Sequence, residues 1–223
     1  MKLSKPKFEQ LFEENRLIVS LIGISNIGKT YWSKKLHEIS FRHINCDNLI
    51  EEKLSPILKK LKYSGIEDVS CWMGQPYDDR YATNQQKYLS IEKEIMKSIF
   101  AQIKNKKSQN TVIDTTGSVV HTGKNICAKL RQYSLIVYLE ANQNMKEKMF
   151  NQYIKKPKPV VFGDIFDPKQ NETATQTLQR CYRKLLNLRS VLYSQYADVI
   201  IPIESIKKDM NVNQFFSLIK QSL

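Results

Sequence analysis

Gly23, Gly28, Lys29 and Thr30 stand at the spacing G-x-x-x-x-G-K-[ST], which has a specific chemistry. Glycines at the two ends of such a loop adopt backbone angles closed to other residues, so successive N–H groups turn inward around a phosphate. A helix opening at Lys29 aims its positive end at the same anion. Lys29, expected to stand exposed in the loop, reaches the outer phosphates, and the Thr30 hydroxyl can hold Mg²⁺. Gly23, Ser25, Asn26, Ile27, Gly28, Lys29, Thr30 and Tyr31 therefore form the candidate nucleotide set, with ATP and Mg²⁺ as the expected cofactors. An apolar run before the loop (residues 17–22) and a helical pattern after it (29–39) supply the context that separates this motif from an ordinary glycine turn.

Two carboxylates lie at comparable places further on. Asp47 follows a short strand-like segment, FRHIN, and reads either as a helix N-cap or as a crevice carboxylate that takes a hydroxyl proton. Asp114 ends the buried run 111–114, with Thr115, Thr116, Gly117 and Ser118 beyond it, and reads either as a metal ligand or as a loop hydrogen-bond acceptor. Lys155, Lys156 and Lys158 alternate with Pro157 and Pro159 in a long loop, 155–172. They are either solvated charges or part of a lid that closes over phosphate. The segment CWMGQPYDDRY (71–81) is denser in polar groups than core packing requires, which suggests a substrate wall. His37, His43 and His121 have no metal spacing and read as structural or surface residues.

The elements that must position these groups follow from periodicity and punctuation. Helices are expected at 5–15, 29–39, 47–63 (kinked or split by Pro56), 79–105, 122–132, 142–155, 173–196 and from about 205. Strands are expected at 17–22, 41–45, 111–114, 134–141 and 197–202, and a less regular stretch at about 65–76. Leu178, Cys181, Leu185, Leu188 and Leu192 form an apolar stripe on the helix 173–196. Five strands alternating with helices make a doubly wound, mostly parallel α/β sheet, in which ligands bind beyond the carboxyl ends of the strands. That rule gathers Lys29, Asp47 and Asp114 at one crevice.

Composition bounds the rest. The chain of 223 residues reads as one domain, 1–223, with no apolar run of about 18 residues that would span a membrane. Its first residues lack an apolar signal core, so a cytoplasmic location is expected. The four cysteines form no C-x-x-C pair and read as reduced thiols. Lys+Arg 35 against Asp+Glu 22 gives +13. Because the lysines are spread along the chain, a solvated basic surface is favoured over a nucleic-acid partner, which stays open.

From about residue 17 to 202 the chain resembles the shikimate kinase family of small P-loop kinases. The phosphate loop, INCDNLIE, TTGSV, the K-P-V-V segment and LRSVLYSQYADVII carry the likeness, the last matching R-x-x-x-Y followed by A-D. The resemblance implies a three-layer sandwich with strand order 2-3-1-4-5 and helices on both faces. Its core covers about 17–204, with a substrate-binding helical region at about 47–105 and a lid at about 155–172. It further implies Asp47 as the carboxylate that contacts the acceptor, Arg80 and Arg189 as substrate arginines, Lys158 in the place of the lid arginine, and Thr116 and Gly117 in the substrate loop. Three departures stand out. Asn45 replaces the first acid of D-x-D, Asp114-Thr115-Thr116 replaces part of A-T-G-G-G, and Met149 replaces an arginine that covers adenine. Asp114 thus offers a Walker-B-like carboxylate, and the substitutions imply that shikimate itself is a poor acceptor. The leading expectation is ATP-dependent phosphorylation of a hydroxyl on a small molecule, with Lys29, Asp47, Asp114 and Lys158 catalytic and Thr30 and Asp114 holding the metal. A nucleoside or polynucleotide 5′-hydroxyl kinase and a non-catalytic, nucleotide-switched binding protein are the alternatives.

Overall fold

The run LIVSLI becomes the centre of a sheet because it is apolar toward both faces, as a parallel strand covered by helices must be. The computed structural model describes residues 3–63, 65–105, 109–155 and 158–223. In chain order its elements are α1 (Lys5–Glu13), β1 (Ile18–Ile22), α2 (Lys29–Glu38), β2 (Arg42–Asn45), α3 (Cys46–Lys60), α4 (Ile66–Met73), α5 (Tyr81–Asn105) and β3 (Thr111–Asp114). There follow α6 (Lys124–Tyr133), β4 (Leu135–Glu140), α7 (Gln143–Lys155), α8 (Ala174–Tyr196), β5 (Val199–Pro202) and α9 (Val212–Gln221). The strands run parallel in the order β2-β3-β1-β4-β5. This is the P-loop kinase order that the resemblance implies.

α2 packs on β1, β2 and β3 and is backed by α9, where Trp32 stacks on Phe215 at 4.1 Å between ring centroids. Phe8, Phe12 and Phe41 gather around Phe216 and tie α1 to that layer. α6 and α8 cover β4, and α5 lies against α6. Among the described residues no helix is long and apolar enough to cross a membrane.

Several local expectations are corrected. The N-cap of α3 is Asn45, whose side-chain oxygen accepts from the Asn48 N–H at 2.8 Å, so Asp47 is released from capping. α3 continues through Pro56 without splitting, forgoing the bond that the missing N–H cannot make. The stretch read as irregular contains α4, because Val69, Trp72 and Met73 give it a buried face between two glycines at positive φ, Gly65 and Gly74. On α8 the buried stripe is rotated from the leucine pattern: Leu188 is 41% exposed, whereas Arg189 beside it is 4% exposed. A short 3-10 turn, Ile203–Ser205, precedes α9, which starts later than expected.

Candidate active site

In register, Asp114 at the end of β3 faces Asn45 on one side and Leu21 on the other. The carboxyl ends of β1, β2 and β3 therefore meet at one place, and a cavity of about 420 Å³ opens there. It is lined on one side by Ser25, Asn26, Gly28, Lys29, Thr30 and Tyr31, and on the other by Asp47, Tyr88, Gly117, Ser118 and Arg189. Lys158 and Pro159 also reach it.

The nucleotide side is built from backbone. Gly23 has φ 144°, and a Cβ there would stand 2.8 Å from the Leu139 carbonyl oxygen; Gly28 has φ 108° and caps α2. Only glycine meets both demands without strain. Lys29 is buried rather than exposed: its Nζ donates to the carbonyls of Gly23 at 2.9 Å and Ile24 at 3.0 Å. Burial lowers its pKa, with Asp47 and Asp114 pulling the other way. Ile27 is buried beneath the loop and Gly23 lies at its base, so neither lines the cavity with a side chain. Tyr31 is exposed at the rim.

On the carboxylate side, Asn45 works in two directions. While its oxygen caps α3, its Nδ2 donates to Asp114 Oδ2 at 2.9 Å. An aspartate at 45 would repel Asp114 there, whereas the Asn45 amide donates to it. Asp114 Oδ1 is buried without a hydrogen-bond partner, and His43 Nε2, likewise without one, lies 3.6 Å from Oδ2. An orphaned buried carboxylate oxygen is costly unless a ligand completes it. Asp47, in the first turn of α3, has its pKa pushed up to about 6 by burial, with Lys29 opposing.

The substrate loop is held from behind. Thr115 Oγ1 donates to the Leu21 carbonyl at 2.7 Å, and Thr116 Oγ1 donates to Glu92. Ser118 Oγ donates to the other Glu92 oxygen at 2.7 Å. Thr116 thus faces the core and lies outside the cavity wall, where its neighbours Gly117 and Ser118 stand. The Gly117 carbonyl accepts from the Tyr193 hydroxyl at 2.5 Å, and a Cβ on Gly117 would stand 3.0 Å from Ser25 Oγ and 3.5 Å from Arg189 Nη1. Burial raises the Glu92 pKa to about 7, while the Thr116 and Ser118 hydroxyls hold it down. Glu92, Tyr88 and His121 are absent from the sequence-based set. The signal that could have found Glu92 is its place on the apolar stripe of α5, between Tyr88 and Met96.

The segment after α7 is docked over the cavity. Lys158 Nζ donates to Asn26 Oδ1 at 2.7 Å, and Val160, Val161, Phe162 and Ile165 are buried. The Tyr81 hydroxyl donates to the Val160 carbonyl and accepts from the Phe162 N–H. Lys156 and Pro157, part of the expected lid, lie outside the described residues. Residues 71–81 do not line the cavity; Tyr81 braces this segment, and Gln75 accepts from the hydroxyl of Tyr153 on α7 at 2.8 Å. Arg80 is exposed on that brace with Nη2 on the Cys71 carbonyl at 3.1 Å, so the geometry does not bring it to the acceptor side. Arg189, buried and aimed at Gly117, does reach it.

The shikimate kinase from Acinetobacter baumannii in complex with shikimate superposes with a TM-score of 0.55 at 16% identity, covering 92% of this chain and 90% of that one. The enzyme from Bacteroides thetaiotaomicron gives 0.57 at 14% identity, covering 92% and 97%. That from Aquifex aeolicus gives 0.50 at 14%, covering 91% and 96%. The chain has the shikimate kinase fold. No protein-family model and no curated protein matches its sequence.

Proposed function

We propose that this chain is a kinase that transfers a phosphoryl group from ATP to a hydroxyl of a small anionic molecule. The observation that carries this reading is the meeting, in one cavity, of a phosphate loop, a carboxylate with raised pKa (Asp47) and a buried arginine (Arg189). Phosphoryl transfer asks the protein for positioned charge and one proton acceptor rather than covalent chemistry. Lys29 would leave the Gly23 and Ile24 carbonyls for the outer phosphates, and Lys158 would add a second cation from the docked segment. Asp47 would orient the acceptor hydroxyl and take its proton, a role suited to a carboxylate that titrates near 6. Arg189 would anchor the acceptor's anionic group.

A site for Mg²⁺ would draw on one residue of the cavity wall, Thr30, and one buried outside its lining, Asp114. Thr30 and the unpartnered oxygen of Asp114 would hold it, and a magnesium ion is commonly bound by one or two carboxylates with phosphate oxygens and water. When bound, it neutralises charge on the phosphate oxygens.

A second reading has an observation of its own. A groove of about 460 Å³ lined by Lys34, Arg42 and His43 shares Thr30, Asn45 and Asn48 with the main cavity. It favours an acceptor with a further phosphate, as in a nucleoside or polynucleotide 5′-hydroxyl kinase. A panel of hydroxylated metabolites, nucleosides and short oligonucleotides, scored for acceptor-dependent ADP release, tests both. Silence across the panel, together with no binding of Mg·ADP, would sink the kinase reading. Activity confined to oligonucleotides and steeply weakened by salt would select the second.

A further inference from the structure

Arg189 lies on the buried side of α8, and two of its three guanidinium nitrogens are already engaged within the protein. Nε donates to His121 Nε2 at 3.1 Å, and Nη2 donates to the Val161 carbonyl at 2.9 Å. Nε and Nη2 share one edge of the planar fork, so that edge is filled. Nη1 lies on the other edge, 3.5 Å from the position of a Cβ on Gly117, on the side that borders the cavity.

We propose that His121 is a positioning residue for Arg189: with the Val161 carbonyl it occupies the guanidinium's side edge. The acceptor's oxyanion, carboxylate or phosphate, is then taken end-on through Nη1 and the remaining N–H of Nη2. The proposal rests on the reading of Arg189 as the acceptor's anchor. His121 ends the 3-10 turn Val119–His121, directly after Ser118, so the backbone run that lines the cavity also fixes the arginine. To accept from Arg189, the imidazole must be neutral with its proton on Nδ1. Burial and the Arg189 charge support that form by holding its pKa down to about 4. Val161 belongs to the segment after α7, so that segment supplies one of the two contacts that hold the guanidinium.

The test uses the full chain labelled with ¹⁵N at histidine and arginine, loaded with Mg·ADP and titrated separately with inorganic phosphate and with acetate. The expected spectrum shows His121 protonated on Nδ1 and unchanged between about pH 8 and pH 5. Added anion moves the Arg189 Nη signals while Nε stays in place, and the better of the two probes names the oxyanion class. A proton on Nε2, titration of His121 near its ordinary value, or an anion-dependent shift at Nε would overturn the proposal. His121→Ala should weaken anion binding about tenfold, the scale of one hydrogen bond to a charged group, and His121→Gln, whose amide oxygen also accepts, should restore most of it. Mg·ADP affinity should hold in both variants, and both should remain folded. Unchanged anion binding in His121→Ala, alongside a loss in Arg189→Lys, would reject the role of His121 alone. Unchanged binding in Arg189→Lys would reject the anchor reading beneath it.

Discussion

The two sides of the cavity are built differently. The side proposed for nucleotide is one continuous stretch, residues 23–31, made of a glycine loop and the start of α2. The acceptor side is assembled from α3, α5, the loop after β3 and α8, and its groups are buried side chains held by one another. Backbone cradles depend on glycine and on strand-to-helix geometry, so they tolerate change elsewhere. A side-chain network can be altered one partner at a time, as Asn45 and Asp114 illustrate. The two sides touch at Gly117, between Ser25 and Arg189.

The comparison breaks most sharply at Lys29. Lys29→Ala should abolish acceptor-dependent ADP release while leaving Tm nearly unchanged, because a desolvated charge is removed along with its two carbonyl bonds. Wild-type turnover in that variant would end the assignment of the nucleotide side.

Asp47→Asn should lower kcat by about 10²- to 10⁴-fold, the range for a positioned general base, with ATP affinity within a few-fold of wild type. A loss confined to ATP affinity would move Asp47 to the nucleotide side and leave Asp114 as the remaining carboxylate for the proton.

Shikimate itself should be a poor acceptor, with kcat/KM below about 10⁴ M⁻¹s⁻¹. The physical reason differs from the one the substituted glycines suggest. Thr115 and Thr116 turn their hydroxyls inward and obstruct nothing, but Arg80 sits on the Cys71 carbonyl, leaving Arg189 as the acceptor-side arginine among the described residues. Steady-state phosphorylation of shikimate beside the panel's best substrate decides it.

Gly117→Ala should raise the acceptor KM more than the ATP KM, by roughly ten-fold, since the new methyl would press on Ser25 Oγ at 3.0 Å and crowd Arg189 at 3.5 Å. An equal effect on both substrates would show that the sides do not act separately.

The smallest effect concerns stability. Glu92 in the folded chain has a pKa of about 7, raised from the ordinary 4.5 by burial. The folded state therefore binds more proton between those values, and the stability that Glu92 contributes in acid is lost as pH rises through about 7. His121 acts with the opposite sign, since its pKa is lowered from 6.5 to about 4 and stability is lost as pH falls through that window. Because these two windows overlap and oppose each other, denaturant midpoints followed from about pH 4 to pH 7 should rise more steeply with pH in Glu92→Gln than in wild type, and fall more steeply with pH in His121→Gln. Parallel profiles for both variants and wild type would contradict the buried network.

Much of the architecture was legible because it is local. The strand, loop and helix around Gly23 to Thr30, the strand ending at Asp114 and the helix opening after Thr173 all carry their signals within a few residues. At the last of these, Thr173 and Gln176 form a capping box. α4 was hidden because Gly65 and Gly74 read as loop punctuation, although the eight residues between them suffice for two turns. On α8, leucine spacing pointed to Leu188 as buried, whereas the chain buries Arg189, a choice set by the hydrogen-bond partners waiting on other elements.

The amino-acid sequence by itself determined the strand, glycine loop and helix of residues 18–38, since positive φ at Gly23 and Gly28 and a helix opening at Lys29 are properties of a short stretch of backbone. It also determined the alternation of strands and helices, and with it the sheet. Tertiary structure alone decided which buried polar side chains pair with one another around the cavity. Asn45 meets Asp114 across 69 residues of chain, Ser118 meets Glu92 across 26, and Arg189 meets His121 across 68. No periodicity encodes such meetings. They arise because a buried donor or acceptor must find a partner wherever packing brings one within reach.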